Sequence, residues 1–488
     1  MAYLNVFINN SNKNPINVNR DTKPVPPGPD IDKWVKEHMV FWYDMSKPMD
    51  VYTQNFNDWQ NYNPNSVSIT NNKIVVNGLI NDFRIASIGK ETESFSVFIE
   101  GLGDKNLVYR VKLDENSNQI TNIKLKDGEN VLPHSFATTV AFMGASGVTD
   151  YIGLTITQLP SGQSVPTNEI LKANPYLQDF SGNNRPLRLN NFLFAAMSGV
   201  GGYEYNWLDS TLFITSYLSG ARGDGTITDN TITINNVKIG SALFESRVAP
   251  SKKYKVRVTG ITSNETLRYV IYGDTSLGEL ATIIFDIKKD GEYELPASTY
   301  STAFNMKWQV IAASYPHTCN ITIEQIPSYP NALVTDGVDD YGVVENLQQG
   351  VKVLFYTCNP FSLNKMFYDQ RKTISATEAF FSIYNSNSKI AYNDRNTGGV
   401  TYIDGIINNL LLASNLLNVK HTITIVNDGA TESNTISPIY FSKNQRDSYF
   451  ANLAFYNSIG FDSVPAKETD GFTEQDLINY VLENLITK

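Results

Sequence analysis

The chain has 488 residues and a mass of 54.5 kDa, more than one ordinary core holds, so length alone predicts about three domains. Apolar residues make up 41% and charged residues 18%, with Asn, Ser, Thr, Tyr and Phe abundant, a balance that predicts half-buried strands joined by polar turns, an all-β chain. A formal charge of −10, with Lys and Arg dispersed, excludes the basic stripe that tracks phosphates, and no apolar run reaches the ~18 residues that span a bilayer; neither nucleic acid nor a membrane is an expected partner.

Residues 1–33 read as an Asn-rich arm. Lys23 to Pro29, Lys-Pro-Val-Pro-Pro-Gly-Pro, favours an extended path that cannot join a ladder. The arm has neither the basic nor the apolar region of a signal peptide, so synthesis in the cytoplasm is expected. Asp30 to Asp44, DIDKWVKEHMVFWYD, is amphipathic. It predicts a brief helix turning into a strand, and it is a candidate docking segment.

Next along the chain comes an internal repeat. SVSITNNKI at Ser66–Ile74 parallels TITINNVKI at Thr231–Ile239, and FSVFIEGL at Phe95 parallels YKVRVTGI at Tyr254. KDGENVLP at Lys126 parallels KDGEYELP at Lys289, and LTITQLP at Leu154 parallels ITIEQIP at Ile321. Four blocks in one order, about 160 residues apart, mark two copies of one module. Each copy alternates apolar and polar residues, with Tyr254, Val256 and Val258 on one face and Lys255 and Arg257 on the other. Turn dipeptides Asp127-Gly128 and Asp290-Gly291 separate the runs, which predicts antiparallel, jelly-roll-like sandwiches.

The region from Asn331 onward carries strand patterns in GVKVLFYTC and HTITIVND and the turn pairs Asp404-Gly405 and Asp428-Gly429. It ends in a helix. Thr473 and Asp476 form a capping box ahead of a stripe of Leu477, Ile478, Val481, Leu482 and Leu485.

LVTDGVDDYGVVENL (Leu333–Leu347) and SYFANLAFYNSIGFDS (Ser448–Ser463) resemble segments of laminin-G-like, concanavalin-like lectin domains. MVFWYDMSK (Met39–Lys47) resembles that family's opening strand, and LQDFSGNNRPLRLNNF (Leu177–Phe192) its DxSGNG segment. In the family these pieces follow one another closely, whereas here a repeat copy fills each gap. The resemblance therefore implies a discontinuous sandwich built from 34–50, 165–201 and 328–488, interrupted by module 1 (51–164) and module 2 (202–327). The same motif set resembles proteins of Bacteroidetes and their phages, including crAss-like gut phages. It implies a virion structural protein: a head-fibre, tail-fibre or capsid-decoration subunit that is not an enzyme and lies on the virion surface. Its expected partners are other virion proteins, met through the N-terminal arm, and glycans of the host surface or mucus. A homo-oligomer, trimeric by analogy with phage fibres, is also expected. A tailspike-type glycan depolymerase and a bacterial surface adhesin are the alternative readings.

Tyr203, Tyr205 and Trp207 in GVGGYEYNW, with Trp59 as the counterpart of Trp207, are the candidate glycan-stacking aromatics, although filling a module core explains the two tryptophans without a ligand. Asp336, Asp339 and Asp340 are candidate Ca²⁺ ligands, although turn formation explains the same residues; no other cofactor is expected. The four histidines share no triad or metal spacing, and Glu91-Thr-Glu93 lacks the third acid of concanavalin-fold glycosidases. The Arg222-Gly223-Asp224 tripeptide reads as chance. Cys319 and Cys358 are expected to be free, buried thiols.

Overall fold

The structure is a computed structural model. It describes residues 30–486 apart from 71, 90–91, 138, 145–147, 215, 219–221, 242, 248–251, 274–281, 299–302, 348–349, 363–364, 370–379, 384–389, 393–399, 408–415, 427–436 and 442–449. The proline-containing arm, Glu91 and the Asp428-Gly429 pair lie outside the described residues. Strands dominate, every strand pairing is antiparallel, and the few helices are short. No described helix is long and apolar enough to cross a membrane.

Two sheets face each other to form the interrupted sandwich. The first is organised by the long strand Asn452–Phe461. On one side it pairs with Val353–Pro360; on the other it is shared by two short strands from distant parts of the chain, Leu333–Asp336 and Met39–Asp44. His421–Val426 and Val400–Ile403 extend this sheet. The second sheet runs from Tyr176–Leu177 through Leu187–Asn190, Tyr341–Leu347 and Ser437–Phe441 to Lys365–Asp369 and beyond. Phe41, Tyr43, Leu189, Val344, Tyr356, Phe441 and Phe455 share the core between the sheets. Residues separated by the full length of both modules thus pack together.

The first sheet is covered on its other face as well. Helix Glu474–Asn484 has the predicted capping box, with both the Thr473 and the Asp476 side chains bonded as the motif requires. It lays Leu477, Ile478 and Val481 onto Val353, Phe355, Tyr402 and Phe461. Burial on both faces explains why Val353–Pro360 reads as a continuous apolar run rather than an alternating one. Helix Ile31–His38 passes directly into strand Met39–Asp44, as the amphipathic pattern predicts. Its docking role is corrected. Trp34 and Val35 are already buried against Phe461 and Phe472, so its apolar face serves the fold and is not open to a partner.

The modules have the same strand order. In module 1 one sheet runs Thr121–Lys124, Leu107–Val111, Thr139–Gly144, Arg84–Ile88, Gln60–Asn61, and the other Gly128–Leu132, Phe95–Glu100, Thr155–Gln158, Lys73–Val76, Val67–Ile69. Module 2 repeats both: Thr282–Ile287, Glu265–Gly273, Ala303–Ala312, Phe244–Ser246, Phe213–Ile214, and Gly291–Leu295, Tyr254–Thr259, His317–Gln325, Thr231–Val237, Gly223–Ile227. One repeat block needs realignment. Ile156 pairs with Ile74 as Ile323 pairs with Ile232, so Thr231–Ile239 corresponds to the strand beginning at Lys73, not to Ser66–Ile74. The two segments look alike because neighbouring strands of one sheet carry the same alternation.

Repeated residues do repeated work. Gly101 and Gly260, at φ +80° and +87°, bring the backbone so close to Gly153 O and Asn320 O that a Cβ would lie 2.6 and 1.9 Å away. Asp127 accepts from the Leu102 N–H, and Asp290 from the Ile261 N–H, both at 2.8 Å. A glutamine closes each module. The Gln158 side chain accepts from the Gln54 N–H (2.8 Å) and donates to Gln54 O (2.7 Å). Gln325 does the same with Tyr205 at 3.1 and 2.8 Å. Both thiols are free. Cys358 is buried in the sandwich core, whereas Cys319 is only half-buried in module 2, which corrects the expectation of two buried thiols.

Candidate functional site

The glycine-rich segment ahead of module 2 is a pinch in the backbone. Ser328 and Tyr329 donate their N–H groups to Gly202 O and Gly201 O, tying the outgoing chain to the incoming one. A Cβ on Gly201 would meet Pro327 at 2.8 Å, and one on Gly202 would meet Val334 at the same distance. The glycines thus permit close approach. Trp207 is fully buried against Phe244, and Trp59 is buried and stacked on Phe142. Neither offers a ring face to solvent, so the glycan-stacking assignment of Trp59 and Trp207 is corrected to core packing. Tyr205 is half-buried, edge-on to Phe213 and Tyr254, and held through its backbone by Gln325. Tyr203 is half-buried too, its hydroxyl bonded to Asn230.

Asp336, Asp339 and Asp340 do come together, one carboxylate oxygen from each lying within 4.8 Å of the others. Their hydrogen bonds build a turn. Asp336 Oδ1 accepts from the Val338 N–H at 2.7 Å, and Asp340 Oδ2 from the Asp336 N–H at 3.0 Å. Gly337 between them has φ +77°. Burial pushes the Asp340 carboxyl up to about 7, against the lowering effect of hydrogen bonds from the Asp336 amide and Ser198, while the Asp336 and Asp339 charges add to the rise. Among the described residues these three are the set that could hold a hard cation, and the loop closes through its own hydrogen bonds.

The histidines are dispersed. Each faces a different carboxylate: His38 with Asp462, His134 with Glu93, His317 with Glu265 and His421 with Asp404. The Arg-Gly-Asp tripeptide is tied into module 2, where Asp224 pairs with Lys238 and Arg222 lies over Tyr217.

A cleft of about 190 Å³ opens where module 1 leaves the sandwich. Met49 and Asp50 line it from the short ribbon that pairs Met49–Val51 with Gly162–Ser164. One wall is the SGNN loop. Asp179 shapes that loop by accepting from the Trp42 and Ser181 N–H groups at Oδ1, and from Ser181 Oγ and the Arg185 N–H at Oδ2. Asn183 fastens the loop to the opening strand, donating to Met39 O at 2.7 Å.

Asn174, just past helix Asn168–Ala173, lines the cleft. It is 5% exposed, and its side-chain oxygen has no hydrogen-bond partner among the described residues. Asp50, Tyr52, Asn72, Tyr176, Gln178, Asp179 and Asn184 complete the polar lining. Burial raises the Tyr52 hydroxyl, and the nearby Asp50 charge adds to this, while a hydrogen bond with Asn72 opposes it. Two aspartates, Asp50 and Asp179, stand with amides and phenols in this partly enclosed cleft; such a set of hydrogen-bonding groups suits a ligand rich in hydroxyl groups, and a buried acceptor left open is costly without one. No local sequence pattern marks this cleft, because its residues come from the sandwich, the connecting ribbon and the module.

No family model matches the chain, and no curated protein matches it. Among solved structures it is similar to the N-terminal CBM22-1-CBM22-2 tandem domain from Paenibacillus barcinonensis Xyn10C, at 7% identity over 57% of this chain and 95% of that chain, with a TM-score of 0.15. A likeness at that score carries no functional weight.

Proposed function

We propose that this chain is a non-enzymatic, exposed structural subunit of a bacteriophage particle, a fibre or decoration protein that binds glycans of the host surface or mucus. The lectin-like and phage-like motifs support the particle assignment. The observation that carries glycan binding is the cleft at the seam, where a buried, open amide acceptor stands among Tyr52, Asn72, Tyr176 and Gln178. Single sites of this size bind weakly, and display in many copies strengthens them. Residues 1–29 dock the subunit on the particle.

The test has two arms. Proteomics of purified particles should find the chain at stoichiometric abundance, and its absence would overturn the particle assignment. A glycan array probed with the full chain should register neutral oligosaccharides, with the signal abolished by Tyr52→Ala with Asn72→Ala. An array signal that survives in that variant would place glycan binding elsewhere.

A further inference from the structure

The outer face of one module 1 sheet carries a groove of about 470 Å³. Its centre is defined by strand pairing. Ala141, on the middle strand, lies between Ala86 on one side and Arg110 on the other. The inner-facing neighbours Ile85 and Phe142 are in the module core, so these two alanines point outward. Ala141 lines the floor, with Ala86 fully buried beside it. Around it stand Arg84, Arg110, Lys112, Asn118, Ile120 and Phe136, with no Asp or Glu in the lining.

Among the described residues no carboxylate pairs with any of the three cations. Lys112 Nζ donates to a backbone carbonyl, Glu115 O, at 2.9 Å, and Arg110 approaches only Met143 Sδ, at 4.0 Å. Arg84 is held over the Tyr62 ring, 4.5 Å from its centroid, and its buried Nε has no hydrogen-bond partner. This basic island stands on a chain of net charge −10.

Module 2 supplies the control. Phe142 pairs with Tyr109 as Trp308 pairs with Tyr269, so the row Ala86, Ala141, Arg110 corresponds to Glu245, Lys307, Val270. Where module 1 has two alanines, module 2 has an ion pair. Lys307 Nζ lies 3.6 Å from Glu245 Oε1 and over the Tyr272 ring. Arg268, on the same face, is bidentate to Asp286 at 2.7 and 2.8 Å. Module 2 therefore fills and neutralises the face that module 1 leaves open and positive.

We infer that the module 1 groove binds an acidic saccharide, its carboxylate or sulfate groups held by Arg84, Arg110 and Lys112 and its ring faces lying against Phe136 and Ile120. Guanidinium groups match planar anions in two-point contact, and the apolar wall suits the C–H face of a pyranose. The inference rests on the glycan-binding reading but uses a site separate from the seam cleft.

Calorimetry on the full chain tests it with three probes: tetragalacturonate, a sulfated tetrasaccharide and neutral maltotetraose. An acidic probe should bind, the two acidic arms telling carboxylate from sulfate, with affinity falling steeply between about 50 and about 500 mM salt. Arg110→Ala with Lys112→Ala should weaken it at least about tenfold. So should Ala86→Glu with Ala141→Lys, which installs the module 2 pair; thermal unfolding checks that both variants fold. Acidic-probe affinity unchanged in these variants, equal binding of maltotetraose in the groove, or no binding of either acidic probe at millimolar concentration would overturn the inference. If neither acidic probe binds while a neutral-glycan signal sensitive to Tyr52→Ala is present, the groove alone has failed and the seam reading stands.

Discussion

The two inserted modules agree wherever the chain must close on itself and differ where it faces outward. Both use a glycine at the same close backbone approach, an aspartate across the same corner and a glutamine latch at the same exit. Both pack a core aromatic of the middle strand at a tilt against a tyrosine, Phe142 with Tyr109 and Trp308 with Tyr269. On the outer face, two alanines in one module stand for a lysine and a glutamate in the other. Closure and packing constrain those inner positions through geometry, whereas an outward position is free to change charge and size, and there the copies can acquire separate tasks.

The deepest test of this equivalence lies in the cores. Phe142→Ala and Trp308→Ala should each cost about 3–5 kcal/mol, because both delete a fully buried ring. Hydrogen exchange should show the loss confined to the module that carries the change; destabilisation spreading through the other module would break the picture of two independent cores.

The latches should cost less. Gln158→Ala and Gln325→Ala each leave a backbone N–H and C=O without partners, a loss of about 1–3 kcal/mol that limited proteolysis should register as cleavage near residues 54 and 205 respectively. Unequal effects would mean that the two exits are not built alike.

A difference in acid response sharpens the comparison further. Glu265 in module 2 is nearly buried; burial alone would raise its carboxyl, but hydrogen bonds from the Thr262 N–H and hydroxyl and from His317 outweigh this and leave it lowered. A carboxylate held below its ordinary range contributes stability above the unfolded value, lost as pH falls through the folded one. Lys105 and Asn106, which lead into the corresponding module 1 strand Leu107–Val111, put no carboxylate there, so strands Glu265–Gly273 and His317–Gln325 should lose exchange protection at acid pH before their module 1 counterparts. Glu265→Gln should remove the difference. Equal loss in both modules would exclude Glu265 as its source.

The repeat, the strand periods, the capped helix and the helix-to-strand passage at Ile31–Asp44 were legible because each leaves a local signature: a turn dipeptide, alternation or a stripe at helical spacing. The misaligned block at Ser66 shows the limit of such signals, since adjacent strands of one sheet share a pattern and only pairing separates them. The site was less legible. An aromatic beside glycines looks the same in sequence whether its ring is exposed or, like that of Trp207, buried in a module core. The seam cleft draws on Tyr52, Asn72, Asn174 and Asn184, residues brought together only by the detour of the chain through module 1. The groove had a readable trace, an unmatched pair of alanines in one copy, but that trace appears only once the strands are aligned by their pairing.

The most direct measurement is hydrogen exchange on the full chain with and without a neutral oligosaccharide taken from the array. Protection gained at residues 49–52, 72 and 174–186 is the predicted result. Protection centred on 203–207, or on neither segment, would contradict the seam as the glycan site.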